Sequence, residues 1–299
     1  AMPQLTRNQL AKRAQTRREI RQKSDLIQPL PDLVARLLRV LNQAETEPAH
    51  LEALLQNDQV LVGKMLAMVN SPFYGLNRPI RTVKEAVVVL GFRGVRSLVL
   101  ATGTAKFLQC DFTWYGHEPK GLWLHAVCVA AGSRFMAQQS NMSLDESESL
   151  FVGGLLHDIG KLMLVTYLHD GPLVTTERSI TEYERATAGL DHTEAGALVA
   201  EKWNLASDIQ EVISCHHETR DDDDDEAVGS SKGLACVRLA DCVAHELGHG
   251  YLPGRAPVNM VRREDLAAVA LDEASWVAMR DAMAVVMEDA VTALGDLSR

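Results

Sequence analysis

Phe151-Val-Gly-Gly-Leu-Leu-His-Asp-Ile-Gly-Lys161 carries apolar residues at helical spacing on nearly every face. Phe151, Leu155, Ile159 and Leu162 line one side, while Val152, Leu156 and Met163 cover most of the rest, which predicts a buried helix. His157 and Asp158 stand in that wall. A buried imidazole beside a buried carboxylate is costly unless something pairs with them. Lys161, three residues beyond Asp158 and four beyond His157, falls on the same side and can reach them. A satisfied polar pair in a helical core would account for His157-Asp158 taken alone. Further histidines and aspartates at helical positions on both sides of the pair ask for more.

Outward from this stretch the same periodicity continues. Leu, Ala and Val recur at three-and-four spacing through most of the 299 residues, aromatics are only 5%, and no sustained alternation or Asn-Gly hairpin turn occurs. The fold class expected is all-α, in two packed helical lobes. Residues 1–24 are polar and basic and read as a solvated lead-in or linker. Residues 25–108 form the first lobe. There Pro31 or Asp32 opens a helix bearing Leu33, Leu37, Leu38 and Leu41, with short helices over Leu51–Leu55 and Val60–Val69. Asn70-Ser-Pro-Phe-Tyr-Gly75 reads as a stop and turn rather than a polar site. Thr82 can cap a helix over Val83–Leu90, Gly91-Phe-Arg-Gly94 breaks it, and Val95–Ala105 resumes. No titratable cluster occurs in this half, which reads as a packing or docking module.

Residues 109–120 mark a boundary, and 117–299 form the second lobe. Gly121–Gln139 is a helix with His125, and Asp145–Lys161 is the central helix. Thr181–Thr187 and Leu190–Trp203 follow, with His192 at the start of the second. Ser207–His217 ends in His216-His217-Glu218, and Gly233–Leu247 carries Asp241. Two more helices close the chain, over about 263–271 and 274–294. Asp170-Gly-Pro172 is a connector. Asp221–Glu226 lacks the alternating carboxylates and central Gly of a calcium loop and reads as a solvated loop.

Composition excludes some functions. A net charge of −10 makes the chain a poor nucleic-acid binder, since phosphate neutralisation needs clustered Lys and Arg. No apolar run approaches ~18 residues, so no membrane span is expected. Five cysteines, at 110, 128, 215, 236 and 242, sit singly and suit a reducing cytoplasm.

The candidate site residues are His125, His157, Asp158, Lys161, His192, His216, His217 and Asp241. The connectors between them are long enough to bring their helices face to face, a common way to build a metal site. Five imidazoles and two carboxylates exceed what one four-coordinate ion needs, so two ions sharing Asp158 can be served. Mixed nitrogen and oxygen donors point to iron, manganese, zinc or nickel rather than magnesium. His245-Glu-Leu-Gly-His249 matches the H-E-x-x-H pattern of zinc proteases, but no metzincin continuation follows and Gly248 weakens the helix. It reads as a surface helix end, irrelevant to the site.

His125…His157-Asp158…Asp241 resembles the four-ligand pattern of the HD phosphohydrolase superfamily. His192 and His216-His217 resemble the two-metal arrangement of the HD-GYP cyclic-dinucleotide phosphodiesterases, and Lys161 matches the lysine of their His-Asp-Ile-Gly-Lys. Their Gly-Tyr-Pro segment has no counterpart, because Glu218 runs into Thr219-Arg220 and the Asp run. Over about 25–220 the chain is more similar to the HDOD family of bacterial signalling output domains. That resemblance rests on Leu30-Pro31, Gln56-Asn-Asp58, Ala67-Met-Val-Asn-Ser-Pro-Phe-Tyr-Gly75, Ile80-Arg-Thr-Val-Lys-Glu-Ala86 and Leu90-Gly91. It rests equally on Leu122-Trp-Leu-His125, Gly154–Leu162 and Asp191-His-Thr-Glu-Ala-Gly196. The resemblance implies an HD-like helical bundle and a signalling role through protein partners, with an upstream receiver or sensory domain among them. It also implies a divalent transition-metal site. The alternative it implies is a metal-dependent phosphohydrolase acting on a nucleotide or cyclic dinucleotide, with Asp158 and Lys161 as its catalytic pair.

Overall fold

The computed structural model describes residues 31–41, 47–55, 58–109, 120–168, 179–218, 231–250 and 261–295, with 112, 115, 117 and scattered positions between 11 and 19. The lead-in over 1–24, the Asp170-Gly-Pro172 connector, the acidic run Asp221–Glu226 and the Pro253-Gly254 break lie wholly or largely outside the described residues. Among the described residues every regular element is a helix.

The N-terminal helices are α1 (Asp32–Leu41), α2 (Pro48–Leu55), α3 (Gln59–Val69) and α4 (Val83–Leu108). Asp58 caps α3 by accepting from Leu61 N at 2.8 Å, and Thr82 caps α4 by accepting from Glu85 N at 3.1 Å. Gly91, with φ 71° and ψ 176°, puts a kink into α4 at the break expected from sequence. α4 is nonetheless long and apolar enough to cross a membrane by length and composition, a run that the sequence reading does not expect. Its apolar side chains instead enter the core, with Val95, Leu98, Val99, Leu100 and Ala101 fully buried.

The turn after α3 joins the two halves. The Asn70 side chain donates to Ile80 O at 2.7 Å and accepts from Ile80 N at 2.6 Å, so Asn70 does the work of a turn, holding the chain that leads to α4. Phe73 lies 5.6 Å from the Phe151 ring, and the Arg134 guanidinium sits over the Phe73 and Tyr74 rings. Arg134 also donates to Glu148 at 2.8 Å, an ion pair that is almost wholly buried.

The middle of the molecule is α5 (Gly121–Gln139), a helix apolar on all sides and buried along most of its length. Its chief neighbours are α6 (Leu144–Leu156), α11 (Lys232–Glu246) and α13 (Glu273–Leu294). One apolar cluster runs from Val34 through Leu98 and Trp123 to Ile213. A second gathers Val129, Met136, Val237, Leu239, Met283 and Met287. α5 contributes to both. The remaining elements are α7 (Lys161–Leu164), α8 (Ile180–Ala188), α9 (His192–Lys202), α10 (Ser207–Cys215) and α12 (Arg263–Ala268). Ser143, Ser179 and Asp191 open α6, α8 and α9 with capping boxes to Glu146, Glu182 and Glu194.

The stretch 151–161 departs from the continuous helix expected. α6 ends at Leu156, His157–Gly160 form a turn, and α7 starts at Lys161. The cause is a close backbone approach. A Cβ on Gly160 would lie 1.9 Å from His192 O and 2.5 Å from Gly196 N, so the turn rests directly on α9.

Candidate metal centre

Each candidate side chain is delivered by a helix or its end. His125 lies in the second turn of α5. His157 and Asp158 occupy the turn after α6, and Lys161 opens α7. His192 is the first residue of α9, His216 and His217 follow α10, and Asp241 sits on α11. The structure brings all eight together. Groups that can hold a metal are His125 with His157 and Asp158, and Asp158 with His192, His216 and His217. A third is His125 with Asp241 and His245.

The two oxygens of Asp158 face different neighbours. Oδ2 lies 3.4 Å from His157 Nε2 and 3.6 Å from His125 Nε2. Oδ1 lies 3.2 Å from His192 Nε2 and 3.8 Å from His216 Nε2. Asp241 Oδ1 is 3.2 Å from His125 Nε2 and 3.9 Å from His157 Nε2. Donors bound at about 2.0–2.2 Å to one ion at right or tetrahedral angles stand roughly 3.0–3.5 Å apart. Three of the six distances fall in that range, and the other three exceed it by no more than 0.4 Å.

The other ring nitrogens are already committed. His125 Nδ1 donates to His249 O at 2.6 Å, and His157 Nδ1 to Gly154 O at 2.7 Å. His216 Nδ1 points at the carbonyls of Val212 and Ile213, and His192 Nδ1 donates to Glu184 Oε2 at 2.7 Å. A carbonyl can only accept, so each of those Nδ1 atoms carries the proton. The Nε2 lone pairs are left facing inward. His125 Nε2 and His157 Nε2 are 3.3 Å apart, and His192 Nε2 and His216 Nε2 are 3.2 Å apart. Opposed lone pairs at that distance repel unless a proton or a metal cation lies between them. Outer partners that fix the tautomer and aim the ring are the usual companions of metal-binding histidines.

Electrostatics agree. Burial pushes the Asp158 carboxyl up, but Lys161, whose Nζ is 2.5 Å away, and His157 more than reverse this and hold it well below the usual range. Burial likewise pushes the Asp241 carboxyl up, but His245 and His125 outweigh it and hold it well below the usual range. Burial drives the His157 ring down to about 3 and lowers His217 strongly, so both stay neutral and able to donate to a metal. For His192, burial acts downward, but Glu184 outweighs it and raises the ring above its ordinary value. Buried neutral imidazoles beside ionised carboxylates are a donor set that fits a divalent transition metal.

Three residues near the site are not among the site candidates read from sequence. Glu184, fully buried on α8, holds both His192 N and His192 Nδ1 and accepts from Tyr115 OH at 2.8 Å. His117 is buried 6.1 Å from the His125 ring, and burial followed by Lys161 drives it down to about 2. His245 overturns its reading as an irrelevant surface residue. Its side chain is only 7% exposed, and its Nε2 is 3.3 Å from Asp241 Oδ1. Four residues along α11 from Asp241, it occupies the same helix face. His249 also meets the site, though through its carbonyl on His125; its ring turns to Glu288 at 3.0 Å. The two rings of the H-E-x-x-H pattern therefore do not share a ligand position.

A helical bundle that closes histidines and aspartates from several elements around one carboxylate defines an HD-type all-α domain. The chain matches the HDOD domain over residues 27–219 and belongs to the HDOD family. An HDOD domain protein of known structure from Geobacter sulfurreducens is similar to it, with 25% identity and a TM-score of 0.68. That match covers 95% of this chain and 99% of the other. A Shewanella amazonensis SB2B protein provisionally described as a phosphohydrolase shares the fold at 22% identity and TM-score 0.66, over 92% and 97% of the two chains. A Treponema pallidum (strain Nichols) protein described as uncharacterized is 28% identical over 203 residues. The match covers 65% of this chain but only 39% of that protein.

Proposed function

We propose that the chain is a signalling output module of HDOD type that acts by docking to protein partners, with a divalent transition-metal centre pinning its helices. The partners are signalling proteins, an upstream receiver or sensory domain among them. The division into lobes over 25–108 and 117–299 belongs to the same reading, the first lobe for packing and docking and the second for the metal. The carrying observation is the set of buried Nε2 atoms turned inward onto Asp158, with every outward Nδ1 of His125, His157, His192 and His216 already committed. Iron, manganese, zinc or nickel suits such donors. His125, His157, Asp158 and Asp241 would hold a first ion, and Asp158, His192, His216 and His217 a second. The family membership and a structurally similar Marinobacter aquaeolei VT8 protein, provisionally described as a signal-transduction protein, support the signalling role.

The second reading is a phosphohydrolase acting on a nucleotide or cyclic dinucleotide. It is favoured by Lys161 beside Asp158 and by the Shewanella relative's description. A bound divalent ion there supplies Lewis-acid activation of water and of the phosphoryl group. Lys161 keeps Asp158 ionised and offsets negative charge that develops on a phosphoryl oxygen. Burial argues for the first reading: His125, His157, Asp158 and His192 are all 2% exposed or less.

The two are separated by elemental analysis of fresh protein, then by assay of phosphate or linear dinucleotide release with manganese or iron added. Bound metal without release is the expected result. Release that is lost in Asp158→Ala makes the protein an enzyme, and protein that stays metal-free after reconstitution with iron, manganese and zinc makes the centre a relic.

A further inference from the structure

We propose that Glu184 is a positioning residue for the second metal position and that Tyr115 ties this position to the connection between α4 and α5, so that an ion bound there and the seating of Tyr115 favour each other. The inference rests on the metal reading above and goes beyond it by giving that position an outer frame and a segment that responds to it.

One oxygen of Glu184 holds His192 twice. Oε2 accepts from His192 N at 2.9 Å and from His192 Nδ1 at 2.7 Å. Gripping the main chain and the ring with the same atom fixes how the ring stands, with Nε2 turned to Asp158 Oδ1 at 3.2 Å. His192 opens α9, so its N–H has no acceptor within the helix, and Glu184 supplies one. The sequence of α8 puts the carboxylate there: Glu184 and Ala188, one turn apart, form the buried side of that helix. A carboxylate in such a place is costly unless its oxygens are used. Oε1 is used by Tyr115, whose OH donates to it at 2.8 Å.

Tyr115 comes from the connection between α4 and α5. It is wholly buried, with Phe112 and His117 each 2% exposed beside it. Phe112 O accepts from Tyr115 N at 2.9 Å and from His117 N at 3.3 Å, which folds the three residues into one turn. Lys161 Nζ stands over the Tyr115 ring, 5.4 Å from its centroid, and Lys161 is also the cation beside Asp158. Tyr115 therefore meets the outer partners of two donors of the second position, Glu184 behind His192 and Lys161 behind Asp158. An ion drawn to His192 Nε2 and Asp158 Oδ1 tightens both donors against partners that Tyr115 touches. Linkage makes the effect mutual: a seated Tyr115 favours the ion by the same factor.

The test titrates zinc into metal-free protein against a chromophoric chelator, and the ion at the second position is the one lost in His192→Ala. Glu184→Gln keeps an acceptor for His192 but not the charge. It should weaken that ion by roughly tenfold or more and leave the other unchanged. Tyr115→Phe should weaken the same ion measurably but by less than about tenfold, and it carries the test should Glu184→Gln fail to fold by circular dichroism. Amide hydrogen exchange at Tyr115 and His117 should slow several-fold when zinc is added to wild type, beyond any slowing in α1, and that slowing should be missing in His192→Ala. A second ion that is unchanged in Glu184→Gln and Tyr115→Phe, or weakened no more than the first, overturns the positioning role alone. Exchange at Tyr115 and His117 that ignores zinc overturns the coupling. Zinc binding that His192→Ala leaves unaltered, or no binding at all, overturns the metal reading of this position and the inference with it.

Discussion

Helices α1–α4 and helices α5–α11 are cut from the same apolar periodicity, yet they bury different chemistry. In α4 the buried polar groups are hydroxyls. Thr102 and Thr104 donate to carbonyls one turn back at 2.7 Å, and Ser97 does so at 3.2 Å. Each is satisfied by its own helix. In the second region the buried groups titrate: His125, Glu148, His157, Asp158, Lys161, Glu184, His192, His216 and Asp241. Several find one partner nearby, but the set is completed only across elements: Glu148 pairs with Arg134, His192 with Glu184, and Asp241 with His125. A core of the first kind holds itself together. A core of the second kind is held by what its elements share.

The largest break in that contrast is expected from Asp158→Ala. It removes the carboxylate that the proposed metal reading shares between two positions, and it strips Lys161 of a counter-charge inside the core. Breaking a buried charged pair costs about 3–5 kcal/mol. Elemental analysis should find both ions gone, and thermal melts should no longer respond to added metal. Retention of either ion would show that Asp158 is not shared.

Leu98→Ala sharpens the contrast from the other side. Leu98 is fully buried in α4, and truncation should cost about 2–5 kcal/mol through the cavity left behind. Metal content per folded molecule should stay at the wild-type level, and the loss should be equal with and without chelator. A loss that disappears on adding metal would join the two regions into one energetic unit.

The smallest effect is on pH. In chelated protein, His157 and His117, driven by burial to about 3 and about 2, stay neutral in the fold, as does the lowered His217. An unfolded histidine takes up its proton near 6.5. The stability tied to these rings is therefore present above about pH 6.5 and drains away as pH falls below it. His192, raised in the fold, works in the opposite direction. Calorimetric melting temperatures of chelated protein should fall between pH 7 and pH 5. A flat or rising profile would mean that these rings are not held neutral.

Much of this was legible beforehand. Thr82, Asp32 and the Gly91 break gave α1 and α4 nearly to the residue, because caps and breakers act locally. His125, His157, Asp158, His192, His216, His217 and Asp241 were each legible as polar groups in apolar helical surroundings. The turn at 157–160 was not, because it is set by the backbone of α9 rather than by any breaker strong enough to read. Glu184 looked like one more acid on a short amphipathic helix, and only the packing against His192 gives it a role. His245 was hidden by its own motif. The i, i+4 relation to Asp241 is visible in the sequence, but the H-E-x-x-H pattern pairs His245 with His249, whose ring points to Glu288 instead.

The contact of Gly160 with α9 has a consequence for how this centre can vary. His157 and Asp158 ride on one side of that contact and His192 on the other, so main chain against main chain sets the gap between the two halves of the cluster. Side chains can be exchanged while the gauge stays fixed. A sequence in this family can lose a ligand and keep the frame, and a lost ligand put back would meet its partners at the old separation. A methyl group at position 160 would act in reverse, leaving every ligand present while setting the two halves at the wrong span.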